Sequence, residues 1–170
     1  IYNRAGMYQE IEWKVRELRK HKKKGKMGLM FIDLDNFKHY NDTFGHDIGD
    51  VILQSMAAIF TEAAGGLGFV SRFGGDEFII IFDTDEKRVL EETARKIYDR
   101  IEHTNGFQKD ISERIGHAVA IDEHYRITCS IGIAASGSIC EENDVNSLIR
   151  KADDLLYSVK MNQKGTYAFI

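Results

Sequence analysis

The sequence predicts an α/β or α+β domain in which a mixed central β-sheet is flanked by helices. Apolar runs of strand length alternate with amphipathic segments of helical period along the chain. Two of the apolar runs are joined by a Gly-Gly-Asp turn, which is typical of a β-hairpin. The length of 170 residues is that of one domain with a sizeable core.

The first helix and the first long strand follow from hydrophobic period. A helix is predicted over residues 3–21 because apolar residues recur there at helical spacing: Met7, Ile11, Val15 and Leu18. Trp13 lies off that stripe, and we expect it to pack on a neighbouring element. Residues 27–32 form an uninterrupted apolar run, which predicts a strand buried on both faces.

The same two periods predict the remaining elements. The predicted helices are 37–44, 47–63, 85–103 and one capped by Asn143 or Asp144. The predicted strands are 67–70, 78–82, 127–135 and 167–170. The apolar face of the last helix is predicted to be Leu148, Ala152, Leu155 and Val159. Residues 105–125 are polar and carry the weakest pattern, and an extra strand pair is possible there.

Composition narrows the class of protein. A net charge of −4 argues against broad nucleic-acid binding, and the basic run at residues 20–24 is best explained as a solvated helix end. No run reaches the length of a membrane span, so we expect no membrane contact by this domain. Cys129 and Cys140 are too few for a disulfide framework. A cytoplasmic location is therefore predicted, and membrane anchoring of a parent protein stays open.

Two acidic motifs mark a candidate site. The apolar run that starts at Gly28 leads directly into Asp33-Leu34-Asp35 and then into a helix, and such strand-to-helix junctions favour phosphate and metal sites. In Arg72–Phe78 the glycine turn brings Asp76 and Glu77 together, and adjacent acids repel each other unless a cation lies nearby. Acids from two neighbouring strands would form a two-carboxylate site for Mg²⁺ and a triphosphate. For Asp35 or Asn36 the favoured interpretation is a helix cap.

The order and spacing of these motifs resemble the catalytic GGDEF domain of diguanylate cyclases. The resemblance covers most of the chain and rests on the segments Asp33–Lys38, Asn41–Asp42, Gly45–His46, Gly49–Asp50, Arg72–Phe78, Ser130–Ala134 and Ala152–Lys160. It implies a palm-like, ferredoxin-related nucleotidyl cyclase fold and one domain over residues 1–170. It also implies excision from a longer signalling protein with an N-terminal sensory region.

The resemblance further implies that two GTP molecules condense into cyclic di-GMP across a homodimer, with pyrophosphate released. Asp33, Asp76 and the Leu34 carbonyl would hold Mg²⁺, or Mn²⁺ in its place. Asp76 would accept the proton of the attacking 3′-OH, Lys38 would stabilise the transition state, and Glu77 would be second-shell or hold a second metal. The implied GTP-binding residues are Asn36, Phe37, Asn41, His46, Asp50, Lys160 and Lys164.

Plainer interpretations of these residues stay open. Lys160 and Lys164 could simply complement a helix dipole, and Asp50 could be an ordinary first-turn acid. The sequence departs from many relatives at Gly65 and Gly68, where an Arg-x-x-Asp product-inhibition motif would stand, so we expect no feedback through that site. Two other functions are compatible with the fold: a GTP-binding regulatory or docking domain without turnover, and a cyclase with relaxed purine choice.

Overall fold

The computed structural model describes residues 1–170 and contains one mixed sheet of six strands with six α-helices. The strands are β1 (Tyr2–Asn3), β2 (Gly25–Asp35), β3 (Gly68–Gly74), β4 (Glu77–Phe82), β5 (Thr128–Ile139) and β6 (Tyr167–Phe169). The helices are α1 (Arg4–Lys20), α2 (Phe37–Phe44), α3 (His46–Ala64), α4 (Lys87–His103), α5 (Gln108–Ile115) and α6 (Glu142–Asn162). The predicted mixed sheet flanked by helices is confirmed. None of the helices combines the length and apolar character needed to cross a bilayer.

The sheet has the strand order β1-β3-β4-β2-β5-β6. Its two outer pairs, β1 with β3 and β5 with β6, are parallel, and the inner pairs are antiparallel. Strand β2 is therefore flanked by β4 on one side and β5 on the other. The end of β2 therefore lies between the β3–β4 hairpin and the start of β5.

Strand β2 has apolar side chains on both faces because helices cover both faces of the sheet. Met30, Ile32 and Leu34 pack in the core beneath α2 to α5. Leu29 and Phe31 pack in the second core, beneath α1 and α6. This alternation assigns the odd-numbered residues of β2 to the α6 side of the sheet.

The junction between β2 and α2 differs from the predicted helix cap. Asn36 adopts the left-handed region with φ 62° and makes no capping hydrogen bond. Its side-chain amide donates instead to the carbonyls of Arg126 (3.0 Å) and His124 (3.4 Å). Asp35 does not cap either, because an odd-numbered β2 residue faces α6 and points away from α2. Asn36 therefore occupies the N-cap position without capping through its side chain, and the capping interpretation of Asp35 is wrong.

Residues 105–125 contain helix α5 between the 3₁₀ turns Asn105–Phe107 and Glu123–Tyr125, so the possible strand pair is absent. Phe107 and Ile111 are buried four residues apart, which is a helical spacing, and they pack against the core beneath α2 to α5. The polar residues around them hid this short pattern.

Three smaller expectations are also corrected. Trp13 is 57% exposed instead of packing on a neighbour. Helix α6 starts two residues before the predicted cap, with Glu141 and Asp144 forming a reciprocal capping box. Its buried face includes Leu156, whereas Leu155 is only half-buried.

Candidate active site

The β3–β4 hairpin and the end of β2 bring three carboxylates together. In the antiparallel register Asp33 lies directly opposite Glu77. Gly75 takes a positive φ of 41° in the turn, a conformation that favours glycine. The Leu34 N–H then donates to the Asp76 carbonyl at 3.2 Å, which fastens the turn to β2. The predicted meeting of a strand-end acid and a hairpin acid is thus present.

One ammonium group serves this acidic cluster. The Nζ atom of Lys160, near the end of α6, lies 2.7 Å from an oxygen of Asp33, whose side chain is 13% exposed. Burial alone would lower the pKa of Lys160, but the hydrogen bond to Asp33 and the surrounding carboxylates outweigh it and raise that pKa. Lys160 therefore remains a cation. Its ion pair with Asp33 is a specific contact, which complementing the dipole of α6 would not require.

The other two carboxylates are short of positive charge. Burial raises the pKa of Asp76, and the nearby Asp33 raises it further. Burial likewise raises the pKa of Glu77, with added contributions from Asp33 and Asp76. Both directions mean that the ionised cluster costs free energy, which an additional cation at this position would offset.

A cleft of about 420 Å³ opens beside the cluster. Its size lies in the range of small-molecule sites. Eight of the predicted site residues line it: Asp33, Leu34, Asn36, Phe37, Lys38, Asp76, Lys160 and Lys164. Phe37 and Lys38 open α2, where backbone N–H groups have no partner within the helix and can meet an anion. The Lys38 ammonium is exposed and lies 3.8 Å from Asp42.

The four other predicted residues lie outside this cleft. Asp50 lines a separate cavity of about 480 Å³, together with Leu53, Arg72 and Phe78. Asn41 packs against α3 so closely that a β-carbon at Gly49 would lie 2.0 Å from its side-chain oxygen. Glu77 faces Asp33 across the strands, and His46 is exposed at the start of α3. Lys38, Lys160 and Lys164 thus line one cavity, and Asp50 lines another with Arg72.

Two features of the site were missed in the sequence. Asp35 lines the cleft but is only 2% exposed, and it accepts hydrogen bonds from Ser130 Oγ (3.0 Å) and the Gly165 N–H (3.1 Å). The two-residue spacing from Asp33 was the available signal, since it places both acids on one face of a strand. The second feature is Tyr125, whose ring stacks on His39 at 4.1 Å and 11° at the cleft rim. No sequence pattern signalled it.

The donor set fits a divalent metal that keeps part of its coordination for substrate. No group of three or more His, Cys, Asp or Glu side chains able to hold a metal is preassembled. Mg²⁺ is commonly bound by one or two carboxylates, with waters and substrate phosphates completing its octahedron. Asp33, Asp76 and a strand-end carbonyl could supply oxygen ligands of that kind.

The family model described as "Diguanylate cyclase, GGDEF domain" matches residues 1–166. The chain belongs to the GGDEF family. Among curated GGDEF relatives, the cyclic di-GMP phosphodiesterase PdeR of Escherichia coli is 30% identical over 147 residues, which cover 86% of this chain and 20% of PdeR. The diguanylate cyclase DosC of the same species is 33% identical over 134 residues, covering 79% of this chain and 26% of DosC.

Solved structures agree with the GGDEF fold. The active GGEEF domain of a diguanylate cyclase from Vibrio cholerae superposes with a TM-score of 0.74, covering 99% of this chain and 96% of that one at 23% identity. The coverage of the curated relatives is much lower, because this chain spans only 16% to 26% of the length of PdeR, YkoW and DosC. The architecture of a parent protein stays a prediction.

Proposed function

We propose that this GGDEF domain is a diguanylate cyclase that condenses two GTP molecules into cyclic di-GMP. The observation that carries the proposal is the meeting of Asp33 and Asp76 beside a cleft lined by Lys160 and Lys164. Membership of the family and the relatives named as diguanylate cyclases support it.

In the proposed reaction, the 3′-OH of each GTP attacks the α-phosphate of the other. Each step forms one phosphorus–oxygen bond, breaks the bond to pyrophosphate, and transfers the hydroxyl proton to a base, for which Asp76 is the candidate. Such chemistry depends on in-line positioning and charge neutralisation more than on a protein nucleophile. Two steps close the ring and release two pyrophosphates.

The residues of the cleft have distinct proposed tasks. Lys160 and Lys164 neutralise the phosphates, and the Phe37 and Lys38 N–H groups bind phosphate oxygens. The exposed Lys38 ammonium is free to leave Asp42 and stabilise charge in the transition state, since a surface pair of this length contributes little. Mg²⁺ or Mn²⁺, held by Asp33, Asp76 and the Leu34 carbonyl, would supply further neutralisation of the triphosphate.

The neighbouring cavity is the proposed guanine site. Its walls include the apolar Leu53 and Phe78, and its carboxylate is Asp50. A carboxylate accepts hydrogen bonds from the N1–H and N2–H₂ groups of guanine, and adenine lacks donors at that edge. The Asn41 side chain packs against Gly49, the residue before Asp50, and is proposed to contact the same base. His46 is exposed next to this region, and its contact with substrate stays a prediction.

The product contains two GMP units, whereas one domain offers one such pair of cavities. Catalysis is therefore proposed to need two domains facing each other. A second candidate function, GTP binding for regulation without turnover, is favoured by the similarity to PdeR, whose name is that of a phosphodiesterase. The two candidates make opposite predictions about product formation.

The deciding experiment is incubation of the domain with GTP and Mg²⁺, with chromatographic separation of the nucleotides. We expect cyclic di-GMP and pyrophosphate from the wild type, at a rate that approaches the square of enzyme concentration when the domain is dilute. Asp76→Ala should abolish product, and Asp154→Ala, at an exposed acid of α6, should not. GTP binding without any product would support the regulatory candidate instead.

A further inference from the structure

The order of the strands predicts how a bound nucleotide would be oriented across the sheet. The cavity lined by Asp50 and Phe78 lies on the β3–β4 side of β2, and Asp33 stands at the end of β2 itself. The turn after α6, which carries Lys164, lies on the β5 side, because the Gly165 N–H donates to Asp35 and Ser130. A nucleotide with its base in the first cavity therefore extends its phosphates across β2 toward β5.

The β5 side of the cleft ends in an aromatic wall made of His39 and Tyr125. Their rings stack at 4.1 Å and are 11° from parallel, and both residues line the cleft. His39 is two residues from Asn41, so about 200° of helical rotation separates it from the proposed base-contacting face of α2. The wall thus lies away from the base side of the cleft.

The wall is attached to the phosphate-binding turn. The Asn36 amide donates to the carbonyls on either side of Tyr125, those of His124 and Arg126. Asn36 directly precedes the first N–H groups of α2. The position of Tyr125 is consequently coupled to the backbone donors that would hold the phosphates. Tyr125 is 42% exposed, which leaves the hydroxyl accessible to a ligand.

We propose that this aromatic wall is a subsite for the terminal phosphate of a nucleoside triphosphate, with the Tyr125 hydroxyl as a hydrogen-bond donor. The inference rests on the proposed GTP function and adds a specificity determinant to it. Lys164 and Lys38 line the same cleft, so an anion there meets positive charge. Among the acids near the wall, Asp42 has Lys38 as its neighbour at 3.8 Å, and Asp122 accepts a hydrogen bond from the His124 N–H. A tyrosine hydroxyl donates well to a charged phosphate oxygen.

The test compares equilibrium binding of an α,β-methylene GTP analogue, which the proposed reaction cannot cleave, and of GDP, each with Mg²⁺, by titration calorimetry. Tyr125→Phe keeps the stacked ring and removes only the hydroxyl. We expect it to reduce the preference for the triphosphate analogue over GDP by about tenfold, the effect of one hydrogen bond to a charged group. Tyr157→Phe, at a 67% exposed position on α6, is the matched control and should leave the preference unchanged.

An unchanged preference in Tyr125→Phe overturns the subsite, as does a wild type that binds the analogue and GDP equally well. His39→Ala, which removes the stacking partner, is expected to lower the preference as well. Binding is measured without turnover, so the two proposals fail separately. A Tyr125-dependent preference without any cyclic di-GMP formation defeats only the cyclase proposal, whereas an active cyclase insensitive to Tyr125→Phe defeats only the subsite.

Discussion

Asp33 and Asp35 stand two residues apart on the same face of β2, yet their surroundings are opposite. Asp33 contacts the ammonium of Lys160, and its side chain keeps some exposure to the cleft. Asp35 is buried, and its oxygens accept hydrogen bonds from a hydroxyl and a backbone N–H. Burial raises the pKa of Asp35, and the bonds from Ser130 and Gly165 oppose that rise.

The difference shows how the partner decides what a carboxylate can do. Asp33 is paired with the flexible side chain of Lys160, which in the proposed reaction would move to a phosphate as Asp33 binds a metal. Asp35 is paired with groups that belong to β5 and to the turn after α6, so releasing it would leave buried polar groups without partners. We interpret Asp33 as available for ligand chemistry and Asp35 as part of the framework that holds the site.

The largest test of this contrast is Asp33→Asn. Because a metal ligand stabilises the transition state by several kcal/mol, we expect turnover to fall on the order of a thousandfold. The free energy of unfolding should change little, because Lys160 is partly exposed and can be hydrated. Steady-state rates and urea denaturation of the same preparations measure both quantities. Near wild-type turnover would remove Asp33 from the metal site.

Asp50→Ser extends the contrast to the second cavity. Loss of hydrogen bonds to a charged acceptor costs roughly 1.5–3 kcal/mol, so discrimination of GTP against ATP should fall by about one to two decades. Product ratios from mixed GTP and ATP measure this change. Asp47→Ser, at an exposed acid in the first turn of α3, is the control. Equal effects of the two variants would mean that Asp50 acts only on the helix dipole.

Asp35→Ala tests the framework side of the contrast. Leaving Ser130 and the Gly165 N–H without their acceptor should lower the free energy of unfolding by about 1–3 kcal/mol. The Mg²⁺ concentration for half-maximal activity should stay unchanged, because Asp35 is not a proposed ligand. Ser138→Ala, at an exposed serine on β5, the strand that carries Ser130, should alter neither quantity. A large change in Mg²⁺ requirement with normal stability would contradict the framework role.

The smallest effect is expected at Asp144, a carboxylate far from the cleft. Hydrogen bonds from the Cys140 and Glu141 N–H groups lower its pKa. A lowered pKa in the folded state stabilises the fold above the ordinary value of 3.8, and this contribution is lost as the pH falls through the folded value. Asp144→Asn should therefore be less stable than the wild type at neutral pH, with the gap closing in acid. Urea denaturation across pH measures it, and turnover at neutral pH should not change.

Hydrophobic period along the chain was enough to predict the long, regular elements and the motifs within them. The apolar runs of β2 and β4 and the helices α3 and α4 were predicted to within a few residues, because each carries its own hydrophobic pattern. Asp33, Asp76 and Lys160 were predicted because each lies in a contiguous motif of the family, and Lys164 follows Lys160 by four residues in the turn after α6. The register of β2 and β4 places Asp33 opposite Glu77, as expected for acids on two neighbouring strands.

Contacts between segments that are distant along the chain determine which acids are available to a ligand and which residues close the cleft. Asp35 was mistaken for a cap because its partners, Ser130 and Gly165, lie 95 and 130 residues away along the chain. Tyr125 was missed because its segment is short and polar, and its place depends on Asn36, from which it lies far along the chain. The hydrophobic period of a helix or strand shows which of its faces is buried. Hydrogen bonds between distant segments depend instead on how the strands pair.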